Sequence, residues 1–127
     1  MSAPGISARR ILVVDDEPLV CDSTKRILAY DGHQVVTASS AAEALALFQN
    51  GKFDLVITDY EMPVMKGDAL AVAIKTLVPQ QPVLMITAYV EPLLTAGDSL
   101  TGVDLMVSKP FTLPELRQAV ANLTTKS

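Results

Sequence analysis

Short apolar runs that stop abruptly constrain this chain more than any other feature. Ile11 to Val14, Phe53 to Thr58 and Val83 to Thr87 are apolar almost throughout, and the first two end against an acid. A strand with one wet face alternates apolar and polar residues. A continuous run is the mark of a strand buried on both faces, the situation of parallel sheets covered by helices. Val35 to Ala38 and Leu105 to Val107 add two shorter runs of the same kind.

The segments between these runs have helical spacing. Pro18 suits a first helical turn, and Leu19, Val20, Ser23, Ile27 and Leu28 recur until Asp31-Gly32 stops the pattern. Ser40 with Glu43 starts a second helix that Gly51 ends, and Ala69 to Leu77 makes a third before Pro79. Thr112 with Glu115 opens a last helix reaching about Leu123. Between Thr87 and Val103 the helix signal is poor, because Pro92, Gly97 and Gly102 crowd it and only Leu93, Leu94 and Leu100 could be buried; a short or irregular helix is expected there. Five strands alternating with five helical segments predict a doubly wound α/β fold with a parallel sheet and helices on both faces.

At 127 residues, the chain predicts one domain with its own core. Half of the residues are apolar and 19% are charged, which excludes a disordered chain. No apolar stretch reaches the ~20 residues needed to span a bilayer, so no membrane insertion is expected. A net charge of -4, with no basic cluster beyond Arg9-Arg10, argues against direct nucleic-acid binding. The single cysteine, Cys21, cannot form an internal disulfide and has no ligand partner nearby, and the N-terminus lacks a secretory apolar segment. A reducing, cytoplasmic setting is expected, with Cys21 as core.

Polar residues gather where the strands end. Asp15 and Asp16 follow the first strand, Asp59 ends the third, Thr87 ends the fourth and Lys109 follows the fifth. Open parallel sheets bind ligands beyond the carboxyl ends of their strands. Each residue alone has an ordinary explanation, as a helix cap, a strand former or a surface charge. Three carboxylates brought together, however, repel one another and take up protons unless a cation sits among them. Oxygen ligands of this kind suit magnesium.

These residues resemble the receiver domain of two-component response regulators. The resemblance rests on the Asp15-Asp16 pair, on Asp59 followed by Met62-Pro63 and Gly67 (DxxMPxxxG), on Thr87-Ala88 and on Lys109-Pro110-Phe111. It implies a flavodoxin-like five-stranded sheet in the order 2-1-3-4-5, with residues 10–124 as the receiver domain after a flexible segment, residues 1–9. It implies that Asp59 is the phosphoacceptor, taking a phosphoryl group from a histidine kinase or a histidine phosphotransfer protein. Magnesium would be held by Asp15, Asp16, Asp59 and the backbone carbonyl of Glu61, while Lys109 and Thr87 would contact phosphoryl oxygens. The Lys109-Pro110 bond would be cis. Output would run through a switch in which Thr87 moves and an aromatic side chain follows. This sequence departs from that pattern, with Met106 at the aromatic position and Tyr89 as the nearest aromatic. A protein output partner or a fused domain would read the change.

Three other readings compete. An aspartate-dependent phosphatase would want a second Asp two residues after the nucleophile, where this chain has Glu61. A flavin carrier would need a phosphate-cradling loop where this chain has Asp15-Asp16-Glu17. A receiver-like module that binds partners without phosphorylation would be expected to have lost an acid, the threonine or the lysine, and all are present. The expectation is a signalling module rather than a turnover enzyme, either standing alone or cut from a longer protein.

Overall fold

The computed structural model describes residues 9–62, 64–87, 102–109 and 111–124. Its strands are β1 (Arg10–Val14), β2 (Gln34–Ala38), β3 (Leu55–Asp59), β4 (Val83–Thr87) and β5 (Leu105–Ser108). They form one sheet in the order β2-β1-β3-β4-β5, and every neighbouring pair is parallel. The described helices are α1 (Pro18–Tyr30), α2 (Ala41–Asn50), α3 (Gly67–Leu77) and α4 (Leu113–Thr124). The segment where an irregular helix was expected, between β4 and β5, lies outside the described residues, as does most of the N-terminal segment expected to be loose. Among the described residues no helix is long and apolar enough to cross a membrane.

The period of two along each strand splits the core into two layers. Leu12, Val14, Val56 and Val83 point to one face, where Phe48 of α2 and Leu70 and Ile74 of α3 cover them. Ile11, Val13, Leu55, Ile57, Leu84 and Ile86 point to the other, against Leu28 of α1 and Leu116 and Val120 of α4. Most of these side chains are fully buried. Truncating any one large member to Ala costs about 2 to 5 kcal/mol, so the sheet holds its strand ends firmly in place.

Local chemistry sets the helix starts. At α2 the Ser40 hydroxyl accepts the Glu43 amide at 3.1 Å, while Glu43 reaches back to the Ser39 amide at 2.7 Å. At α4 the exchange is fully reciprocal, since the Thr112 amide donates to Glu115 and the Glu115 amide donates to Thr112. Helix α3 begins two residues earlier than the apolar spacing suggests. Its Gly67 amide donates to the Tyr60 carbonyl at 3.0 Å, which brings the helix start onto the end of β3. Strand β3 begins later than the apolar run suggests, because Phe53 is buried beside Phe48 and under the Arg10 guanidinium, short of the strand itself.

Candidate functional site

The parallel sheet delivers its polar strand ends to one edge. Asp15 follows β1 and is 6% exposed, Asp59 closes β3 at 3%, and Thr87 closes β4 at 0%. Lys109 follows β5 and sends its ammonium across the edge to lie 2.9 Å from Asp59 Oδ1. That approach is an ion pair not aligned as a hydrogen bond, and no other described donor reaches this buried oxygen. One ligand oxygen each of Asp15, Glu17 and Asp59 lies within 4.8 Å of the others.

The cluster is electrostatically strained. Burial raises Asp15 to a pKa of about 6; the Glu17 amide, which donates to Asp15 Oδ1 at 2.9 Å, only partly offsets this, and the Asp59 charge adds to it. Burial likewise raises Asp59, against the Lys109 ammonium that lowers it, and Glu61 adds further repulsion. For Lys109, burial favours the neutral amine, but Asp59, Asp15 and Glu61 together outweigh it and hold the group charged. A buried carboxylate oxygen without an aligned donor, among crowded acids, fits a hard divalent cation that prefers oxygen ligands.

Of the residues singled out from sequence, Asp15, Asp59, Thr87 and Lys109 come together. Asp16 is half-buried and lies outside the three-carboxylate cluster, and Glu17 occupies that place instead. Sequence reasoning noted Glu17 only as part of an acidic loop; its spacing of two from Asp15 was the available signal. Glu61 is present by its side chain, since the Thr87 hydroxyl donates to Glu61 Oε2 at 2.9 Å. Met106 sits in β5, half-buried and in register with Met85 of β4. Tyr89 and Pro110, and with Pro110 the expected cis bond, lie outside the described residues.

The loop from Asp59 to α3 explains the glycine of the DxxMPxxxG pattern. A Cβ on Gly67 would lie 2.3 Å from the Asp59 carbonyl oxygen and 3.0 Å from its carbon. Met62 is buried in the core while Val64 faces outward, with a φ of 71° that is strained for a β-branched residue.

Comparison with known proteins places these features. Residues 11–121 match the family model described as the response regulator receiver domain. The sensor histidine kinase AruS of Pseudomonas aeruginosa is 32% identical over 127 residues, spanning 97% of this chain and 13% of that protein. Response regulator MprA of a Mycobacterium species is 35% identical over 107 residues, spanning 84% of this chain and 46% of that protein. This chain therefore spans less than half the length of either relative. Among solved structures, response regulator protein TrrA of Thermotoga maritima, in complex with Mg(2+)-BeF, is similar with a TM-score of 0.82 and 36% identity. The match covers 91% of this chain and 98% of that one.

Proposed function

Because this chain belongs to the response-regulator receiver family, we propose that it works as a phosphoacceptor in two-component phosphorelay signalling, taking a phosphoryl group from a phosphohistidine onto Asp59. The observation that carries this reading is the setting of Asp59. Its carboxylate is almost wholly buried, with the Lys109 ammonium at 2.9 Å and the oxygens of Asp15 and Glu17 beside it. Buried acids of this kind are costly to assemble unless a cation and an incoming group use them.

The chemistry assigned to the residues is as follows. A carboxylate oxygen of Asp59 forms the new bond to phosphorus as the P–N bond to the donor histidine breaks, and the electron pair of that bond returns to the imidazole. As the attacking oxygen gives up its charge, the Lys109 ammonium passes from Asp59 to a phosphoryl oxygen, so the cation follows the negative charge without leaving the site. Thr87 supplies a hydroxyl to a second phosphoryl oxygen. Asp15 and Asp59 of the clustered carboxylates would hold magnesium together with Asp16 and the Glu61 carbonyl, the Glu17 carboxylate of the same cluster lying beside them. Bound there, magnesium neutralises charge on the phosphoryl oxygens during transfer.

Residues 10–124 serve as the receiver unit in this reading, in a cytoplasmic setting. The donor is a histidine kinase or a histidine phosphotransfer protein, and the output is a protein partner or a domain fused to this one. The unit promotes its own phosphorylation and dephosphorylation without turning over a substrate. Incubation with acetyl phosphate, with and without magnesium, read by intact mass on the native chain and on Asp59→Asn, tests the proposal. A magnesium-dependent adduct that is lost in Asp59→Asn is expected. No adduct on a folded chain that binds magnesium would instead favour a module that binds partners without phosphorylation.

A further inference from the structure

The hydroxyl that the proposed chemistry assigns to a phosphoryl oxygen is already engaged. Thr87 Oγ1 donates to Glu61 Oε2 at 2.9 Å. A threonine hydroxyl carries one hydrogen, so a bond given at full strength to one acceptor is withheld from another. Glu61 lies two residues beyond Asp59 on the loop leading to α3, and its charge is felt at both Asp59 and Lys109. It therefore stands beside the space an Asp59 phosphoryl group would enter, and it presents an anionic oxygen as that group does.

We propose that the Glu61 carboxylate is a built-in competitor for the Thr87 hydroxyl, holding it in the unphosphorylated chain and giving it up when a phosphoryl group arrives. The proposal rests on the reading of Asp59 as the phosphoacceptor. Its consequence is that the two states differ by an exchange of acceptors at one hydroxyl. Thr87 ends β4 with no exposed surface, and its carbonyl accepts the Lys109 amide at 3.0 Å, so its main chain is fixed while its side chain chooses. Glu61 is half-buried, so part of its surface already faces solvent.

Beryllofluoride with magnesium, a mimic of the phosphoryl group, provides the test on the full 127-residue chain. Glu61→Ala removes both the charge and the acceptor, whereas Glu61→Gln removes the charge and keeps an acceptor oxygen. If Glu61 competes for the hydroxyl, Glu61→Ala tightens mimic binding about tenfold, the scale of one charge-assisted hydrogen bond. In a Thr87→Ala background, where there is no hydroxyl to contest, most of that gain disappears. Equal gains in both backgrounds would mean charge repulsion alone and would overturn the proposal.

A second readout needs neither metal nor phosphoryl donor. In the metal-free protein, the Thr87 methyl resonance is expected to shift in Glu61→Ala and to stay near its native position in Glu61→Gln. An unmoved resonance in Glu61→Ala would refute the contact. This arm decides the Glu61 assignment even if Asp59 proves not to accept phosphate, and failure of the mimic to bind the native chain would count against the Asp59 reading instead.

Discussion

Gly67 and Asp59 are in contact through their backbones: the α carbon of the first residue of α3 sits so close to the last residue of β3 that a methyl group there would fall 2.3 Å from the Asp59 carbonyl oxygen. The helix start is thus a wall of the site, and its height is set by the absence of a side chain.

Gly67→Ala should therefore push α3 away from the carboxylate-bearing strand end. The expected cost is about 1 to 3 kcal/mol in urea unfolding, as for other forced overpacking. Adduct formation from acetyl phosphate should fall by a larger factor than that for a surface Ala substitution of equal stability cost. A stable, fully reactive variant would mean that the loop yields without disturbing Asp59.

The crowded carboxylates predict an unusual pH dependence. In the folded chain Asp15 holds its proton up to about 6, whereas the ordinary value expected of the unfolded chain is 3.8. Between those values the folded state binds more protons, so the Asp15 contribution to stability falls as pH rises through that window and is absent below it. His33 works the other way: burial lowers its pKa, and its neutral Nδ1 accepts the Arg9 amide, so stability is lost as pH falls through its range. Comparing the native chain with Asp15→Asn cancels the histidine. In metal-free buffer Asp15→Asn should be the more stable at pH 7, with the difference vanishing near pH 4. Magnesium should stabilise the native chain at pH 7 more than the variant.

Lys109→Met leaves the Asp59 carboxylate without the ammonium at 2.9 Å. Breaking one partner of a buried pair costs more than forming the pair yields, so a loss of roughly 2 kcal/mol or more is expected at pH 7. The loss should shrink at lower pH, because Asp59, already raised by burial, then takes up a proton more easily. Adding Asp59→Asn should restore most of the stability. A loss that does not change with pH would point to packing of the lysine stem rather than charge.

Asp104 offers a control far from the chemistry. Its Oδ2 accepts both the Lys75 ammonium at 2.7 Å and the Val83 amide at 2.8 Å, tying α3 and the start of β4 to the entry of β5. Asp104→Ala orphans a partly buried amide as well as the ammonium and should cost about 1 to 3 kcal/mol. Lys75→Met removes only a half-exposed ion pair and should cost less than about 1 kcal/mol. Neither should alter the rate of Asp59 phosphorylation once folding is complete.

The sheet was legible in the sequence because burial on both faces writes itself as unbroken apolar runs; β4 was read with its true bounds, Val83 to Thr87. Asp15, Asp59, Thr87 and Lys109 were legible for a topological reason, since parallel strands bring all their carboxyl ends to one edge. What stayed hidden depended on contacts rather than pattern. Gly67 reads as a breaker, and only the fold reveals it as the point where a helix meets a carbonyl. Glu17 is exposed and looks like any acid at a helix start. The bond between Thr87 and Glu61 joins the end of β4 to the loop after β3, 26 residues away in sequence, and no local spacing announces it.

The amide of Lys109 is fastened to the carbonyl of Thr87, and Thr87 is in register with Ser108 across the β4–β5 ladder. The two groups assigned to grip a phosphoryl group thus hang from a single bar. Such a clamp cannot open by drawing its jaws apart; each jaw can only swivel. With both main chains tied in this way, the exchange of acceptors proposed for Thr87 is a rotation about a side-chain bond, and its length is the reach of one hydroxyl.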